Sequence, residues 1–304
     1  MIARLGIAPI AWSNDDLPEL GGDTPLETCL RESYEAGFIG VETGGKFPTS
    51  AAELKSVLGK YQLNLASGWY SGTVLDNDLE REKEAVRPQL ALFRELGAAC
   101  IAYGETAGTI QNVRDRPLNT RRVLSDDEWR PYGRKLTAFS EFCAEQRVPL
   151  AFHHHMATAV ESERDLDQLM NHTGEAVRLL FDAGHMAFAG GDPLTTITKH
   201  PHRIAHVHVK DIRRKVIDGL DRSHSGFLDA VLEGAFTVPG DGALDFHEIV
   251  RRLADSGYEG WFVVEAEQDP KKSPPDIFAR IGYDTITSAV SAAGYEIEEY
   301  IPRD

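Results

Sequence analysis

Cysteine is scarce in this chain of 304 residues: there are three, Cys29, Cys100 and Cys143, widely spaced and forming no CxxC pair. That pattern excludes a disulfide framework and a cysteine-ligated zinc site. Each thiol reads instead as a small buried apolar residue in a reducing cytoplasm, the expected location. Positive charge is also in deficit, with 32 Lys and Arg against 48 Asp and Glu, a net charge of −16. An acidic surface repels a nucleic-acid backbone and no basic run offsets it, so nucleic acid is not an expected partner. No apolar stretch approaches the roughly 18 residues of a membrane span. The opening residues, Met1-Ile-Ala-Arg-Leu-Gly6, read directly into a strand and do not resemble a signal peptide. No linker rich in Pro, Ser or Gly and no low-complexity tract divides the chain, so one domain over 1–304 is expected.

What is present is a 42% apolar fraction, enough for a sizeable core, and a regular alternation of short apolar runs with longer amphipathic segments. Strands are expected near Leu5–Ala8, Ile39–Glu42, Asn64–Gly68, Ala99–Tyr103, Val148–His153, Val177–Asp182, Ile204–Asp211 and Gly260–Glu265. Helices are expected between them. One runs from Pro25 to Ala36, closed by Gly37, and others begin at the Ser50/Glu53 and Ser125/Glu128 capping boxes and at the Asp78 and Asp245 caps. Pro88 predicts a kink or break in the helix that Asp78 opens. Residues 213–244 read as an insertion. Eight strand–helix pairs predict a single (β/α)₈ TIM barrel. The alternative, a doubly wound open sheet, more often carries a glycine-rich phosphate turn after its first strand. Here that turn is Pro9-Ile-Ala-Trp12, with neither GxGxxG nor GxxxxGK.

Active sites in such barrels lie at the C-terminal strand ends. Here those ends carry Glu42, then His153-His-His155, Asp182 with His185, His208 with Lys210, and Glu265 with Glu267. Along Ile204-Ala-His-Val-His-Val-Lys-Asp211 the side chains alternate, so His206, His208 and Lys210 share one face. Mixed carboxylate and imidazole ligands suit Mn²⁺, Co²⁺, Zn²⁺ or Fe²⁺ better than Ca²⁺ or Mg²⁺. Each residue also has a plainer reading. His208 alone can be a hydrogen-bonded core histidine, Asp182 a turn cap, and Glu42 the partner of Lys46. Glu265 is harder to place as structure, because an unpaired buried carboxylate is costly. His154 faces away from His153 and His155, which suits packing, and His206 lies deeper, which suits support of His208. Trp12, Trp69 and Tyr70 read as core or as cavity wall. His200, His202 and His224 read as solvated loop residues.

Phe181-Asp-Ala-Gly-His185, His206-Val-His-Val-Lys-Asp211 and Gly257-Tyr-Glu-Gly-Trp-Phe-Val-Val-Glu265 resemble the xylose-isomerase-like barrel superfamily of sugar isomerases, epimerases and dehydratases. Within it, Gly6-Ile-Ala-Pro-Ile-Ala-Trp12, Gly40-Val-Glu-Thr-Gly-Gly-Lys-Phe-Pro48 and His153-His-His-Met-Ala-Thr158 are similar to the myo-inosose-2 dehydratase family of inositol catabolism. The resemblance spans the whole chain. It implies a divalent metal, Mn²⁺ or Co²⁺ foremost, on Asp182, His208, Glu265 and a fourth ligand. Many members have a glutamate where this chain has His153. The resemblance therefore favours Glu161, in Thr158-Ala-Val-Glu161, with His153 as the alternative.

The implied reaction is dehydration of a cyclitol ketone, 2-keto-myo-inositol, with a requirement for glutathione also associated with the family. His155, His185 and Lys210 are then the candidate acids and bases. Trp12, Glu42, Trp69, Tyr70, His153 and Glu267 are the candidate substrate-binding residues. Lys210 is expected near the mouth, either with a depressed pKa for proton transfer or charged and stabilising an oxyanion. The alternative within enzymes is a metal-dependent ketose or cyclitol isomerase or epimerase on the same barrel. A repair endonuclease is disfavoured by the acidic charge, and a non-catalytic sugar-binding barrel or a homo-oligomer remains compatible with the sequence.

Overall fold

The computed structural model describes residues 1–302. Its strands are β1 Ile2–Ile7, β2 Gly40–Thr43, β3 Asn64–Gly72, β4 Ile101–Glu105, β5 Leu150–His153, β6 Arg178–Asp182, β7 Ile204–Val209, β8 Asp211–Ile212, β9 Phe236–Thr237, β10 Gly260–Val264 and β11 Glu296–Ile297. Strands β1 to β7 pair in sequence order, β10 follows β7, and β10 pairs in parallel with β1. That pairing closes an eight-stranded parallel barrel. The two-residue β11 adds to β1 outside the closure, and β8 and β9 form a separate antiparallel ribbon.

The helices are α1 Leu26–Ala36, α2 Ala51–Lys60, α3 Leu79–Leu96, α4 Asp126–Glu145, α5 Glu163–His172, α6 Ala183–Phe188, α7 Pro193–Lys199, α8 Arg214–Gly219, α9 Phe227–Leu232, α10 Phe246–Asp255 and α11 Pro275–Ala292. Local chemistry explains several boundaries. Gly37 ends α1 in a left-handed conformation at φ 111°. Asp78 accepts from the amides of Glu80 and Arg81, and Asp245 from that of Glu248. The Ser125/Glu128 capping box forms. The Ser50/Glu53 box does not: Ser50 sits at the cap of α2 but makes no side-chain bond there. Helix α3 runs through Pro88 without breaking. Among the described residues, no helix is long and apolar enough to cross a membrane.

The main core lies between barrel and helices, with Leu30, Leu54, Leu90, Phe139, Leu169, Val250 and Ile286 packed on outward strand residues such as Phe152, Phe181 and Phe262. The inside of the barrel is filled by a smaller set: Ala8, Ala66, Trp261 and Val263 on one side, and Cys100, Ala102, Ala151 and Leu180 on the other. The insertion is ordered. Helices α8 and α9 with the β8–β9 ribbon bring Phe227, Val231 and Phe236 against Leu17, Ile110, Met156 and Phe188, a second apolar cluster at the same end of the barrel as the polar strand ends.

Candidate metal centre and cavity

The inward side chains of β5, β6, β7 and β10 meet above the apolar barrel filling. Register explains the meeting. Asp182 pairs with His208 across β6–β7, and Val263, two residues before Glu265, pairs with His208 across β7–β10. His153, Asp182, His208 and Glu265 each offer one donor atom, and those atoms lie within 4.8 Å of one another. His153 Nε2 is 3.2 Å from His208 Nδ1, and each of these nitrogens is 3.6 Å from Asp182 Oδ2. Glu265 Oε2 contacts His208 Nδ1 directly. Asp182 Oδ2 is fully buried with no hydrogen-bond partner, while its Oδ1 accepts from the His185 amide at 2.8 Å. An orphaned buried carboxylate oxygen aimed at two imidazoles and a second carboxylate is a fit for a divalent cation.

Glu42 stands beside the cluster and also lines the cavity above it. Its carboxylate is 2.9 Å from His206 Nε2 and 3.1 Å from His208 Nε2, and it accepts from the Ser67 hydroxyl. The anticipated pairing with Lys46 is absent; that ammonium donates to the Gly21 and Thr24 carbonyls instead. Holding His208 by Nε2 leaves Nδ1 to face Asp182 and Glu265, the arrangement in which a carboxylate orients a metal-ligating imidazole. Burial favours the neutral form of Glu42, but His208 and His206 outweigh it and hold the carboxyl well below its ordinary range. Burial favours neutral His208, but Glu265 and Glu42 raise its pKa well above the usual value. Against its own burial, Glu265 is drawn down to about 2 by His208 and Lys210.

Lys210 is not at the mouth, where it was expected. It is fully buried, its Nζ 2.8 Å from His185 Nε2, 2.8 Å from Glu265 and 2.9 Å from Glu267. Burial acts against its charge, yet Glu265, Glu267 and Asp182 raise its pKa rather than depress it. His185 is likewise fully buried on α6, held neutral by burial and by Lys210. Of the three expected acid/base residues, His155 alone lines the cavity. Its Nδ1 bonds to the Met156 carbonyl at 2.9 Å, and its Nε2 is 3.6 Å from Glu267 Oε1.

The cavity over this floor has a volume of about 670 Å³, within the range of small-molecule sites. Its floor includes His153, His208, Glu265 and Glu267, and its walls include Asn14, Phe47, Trp69 and Gln111. The Trp69 ring meets His153 and His155 edge-on at 5.6 and 5.8 Å. The register between β2 and β3 slips past Ala66, so Glu42 pairs with Ser67, and from there Trp69 continues the inner face. Tyr70 therefore points the other way, packing on Tyr103 and Phe139 in the helix-facing layer. Trp12 also misses the cavity: it is buried and its indole donates to Glu32. Asn14 and Gln111 carry no periodic sequence signal and are placed by loops, while the buried Glu105 ends β4, two residues past the strand end expected at Tyr103.

Glu161, the favoured fourth ligand, lies elsewhere. Its carboxylate accepts from the Ala157 amide at 2.7 Å and pairs with Arg121 at 3.6 Å and Arg222 at 3.4 Å. Two guanidinium groups and an amide satisfy it, so His153, the alternative, completes the cluster. His154 is fully buried with both ring nitrogens unpartnered, and burial lowers its pKa to about 3, consistent with packing. His200, read as a solvated loop residue, pairs with Asp167 at 2.8 Å.

The Xylose isomerase-like TIM barrel family matches residues 30–290. The chain is 50% identical over 298 residues to the Rhizopine catabolism protein MocC of Rhizobium meliloti, covering 98% of this chain and 91% of that protein. It is 42% identical over 278 residues to Inosose dehydratase 2 of Bacillus cereus, covering 91% of this chain and 93% of that protein. Among solved structures, the IOLI protein with a bound zinc atom superposes with a TM-score of 0.67 at 15% identity, covering 95% of this chain and 97% of that one, a likeness of fold.

Proposed function

The chain belongs to the xylose isomerase-like TIM barrel family and, within it, to the group formed by the inosose dehydratases and MocC, and on that premise we propose that it is a hydro-lyase of inositol catabolism. It converts 2-keto-myo-inositol into 3D-(3,5/4)-trihydroxycyclohexane-1,2-dione by removing one water. The observation that carries the reading is the convergence of His153, Asp182, His208 and Glu265 at the floor of one cavity, which His153, His208 and Glu265 line directly. Those four would hold a divalent cation, Mn²⁺ or Co²⁺, and when bound such an ion polarises a ketone so that the neighbouring C–H becomes acidic.

The chain's own residues move the protons. A carbonyl only accepts, so His155 donates from Nδ1 to Met156 and directs Nε2 toward Glu267 and the cavity. That nitrogen and Glu267 border the cavity together. In our assignment this pair removes the proton next to the ketone and returns one to the departing hydroxyl. Lys210 fixes the other oxygen of Glu267, and Glu42 fixes His208. Trp69 supplies an aromatic wall for the apolar face of the ring. The proposal includes the glutathione requirement associated with the family, to which the three buried cysteines offer no exposed thiol. Their buried, unpaired state also supports a cytoplasmic location.

A second reading of the substrate has its own observation, since the relative at 50% identity is named for rhizopine catabolism. In that reading the same dehydration serves rhizopine breakdown. Mass spectrometry of the product from 2-keto-myo-inositol plus Mn²⁺ tests the proposal. Loss of one water supports it. An isomer of unchanged mass would replace it with the isomerase or epimerase reading, and no conversion would point to the rhizopine-derived substrate.

A further inference from the structure

A second donor cluster adjoins the first. His155, His185 and Glu267 also bring one donor atom each within 4.8 Å of one another. Between the two clusters lies Lys210 Nζ. Glu265 spans both sides: its Oε2 contacts His208 Nδ1, and its Oε1 is 2.8 Å from Lys210 Nζ. His185 Nε2 at 2.8 Å and Glu267 Oε2 at 2.9 Å also contact the ammonium, and Asp182 Oδ2 stands 3.8 Å away. An ammonium only donates, so His185 directs a lone pair from Nε2 at that point; its other ring nitrogen has no partner. One bridging carboxylate, one terminal carboxylate and one neutral imidazole form the donor set of the second ion in a two-metal centre, where the ions stand roughly 3.5–4 Å apart.

Lys210 is built into this position. It has no exposure, and the Phe236 ring covers its ammonium at 4.9 Å. A Cβ at Gly184 would come within 2.7 Å of Lys210 Cγ, so α6 packs on the lysine stem only because residue 184 is glycine.

We infer that the Lys210 ammonium occupies the second cation position of a carboxylate-bridged pair. The chain therefore holds one divalent ion where the same ligands without the lysine hold two. Glu265 is thereby divided between a metal and an ammonium, and Glu267 is kept free of metal, available beside His155. The inference rests on the metal-centre reading above.

The test is Mn²⁺ stoichiometry on the full chain, by equilibrium dialysis with electron paramagnetic resonance of the bound ion. Wild type is expected to bind one equivalent with an isolated-ion spectrum. Lys210→Ala is expected to bind two, with the spectrum of an exchange-coupled pair, and Lys210→Ala/Glu267→Gln to return to one. One equivalent in Lys210→Ala, two tight equivalents in wild type, or two in the double variant would each overturn the inference. So would a Lys210→Ala protein that stays unfolded at saturating Mn²⁺, because a second ion replaces the lost charge. Wild type binding none would instead remove the metal-centre reading itself.

Discussion

Two buried carboxylate sites at the same end of the barrel differ in how completely they are satisfied. Glu161 is enclosed by Arg121, Arg222 and the Ala157 amide, with Asp165 sharing Arg121 at 2.7 Å. Asp182 and Glu265 face imidazoles and one ammonium that Glu267 also claims, and Asp182 Oδ2 has no hydrogen bond at all. Both sites are buried and both carry two acids. What separates them is whether the fixed cations saturate the acids. Guanidinium groups leave Glu161 nothing to offer a metal, whereas the second site is short of positive charge and supplies donors with free lone pairs. Burial alone therefore does not identify a ligand; the unfilled valence does.

The largest expected effect contrasts the two sites directly. Glu265→Gln should lower the rate of dehydration by at least about a thousandfold, equivalent to about 4 kcal/mol, while Glu161→Gln should stay within about tenfold. Steady-state kinetics at fixed Mn²⁺ distinguishes them, and equal losses would break the comparison.

Removing a partner from the satisfied site should cost stability instead of chemistry. Arg121→Met leaves Glu161 and Asp165 short of a cation and should destabilise the fold by about 3 kcal/mol. Urea unfolding measures this, and a change below about 1 kcal/mol would mean that Arg222 alone suffices.

A third buried acidic site sharpens the contrast by titration. Glu105 accepts from the Tyr103 hydroxyl and the Leu75 and Ala107 amides, and burial lifts its pKa from 4.5 to about 7. Because the folded value is the higher one, its stabilising contribution is complete below pH 4.5 and is lost as pH rises through 7, by about 3 kcal/mol in all. Glu105→Gln should abolish that slope, so the difference in melting temperature, variant minus wild type, should grow between pH 5 and pH 8. A constant difference would show that Glu105 ionises normally.

The smallest effect concerns orientation. Glu42→Gln keeps the hydrogen-bonding shape behind His208 but removes the charge, and should weaken Mn²⁺ binding by about 10–100-fold. Calorimetric titration decides it, and unchanged affinity would separate Glu42 from the centre.

Much of this was legible in the sequence because it depends on local rules. The inward alternation of His206, His208 and Lys210, the polar ends of adjacent strands, the Gly37 stop and the Ser125/Glu128 box each need only a few consecutive residues. The eight-strand order follows from their alternation with helices. Features set by distant residues were not legible. The choice between His153 and Glu161 turns on arginines from the loop after β4 and from the insertion, 40 and 61 positions from Glu161 in sequence. The depth of Lys210 depends on α6 and β9 covering it. Trp12 is taken by Glu32 on α1. Tyr70 is a different case, since strand alternation already forbids it and Trp69 from sharing a face.

The central claim is that His153, not Glu161, joins Asp182, His208 and Glu265 around one divalent ion. A calorimetric Mn²⁺ titration of Glu161→Gln beside His153→Ala, with folding checked by circular dichroism, tests it most directly. One tight equivalent in Glu161→Gln and at least a hundredfold weaker binding in His153→Ala is the predicted result. Loss of the ion in Glu161→Gln with full binding by His153→Ala would contradict it.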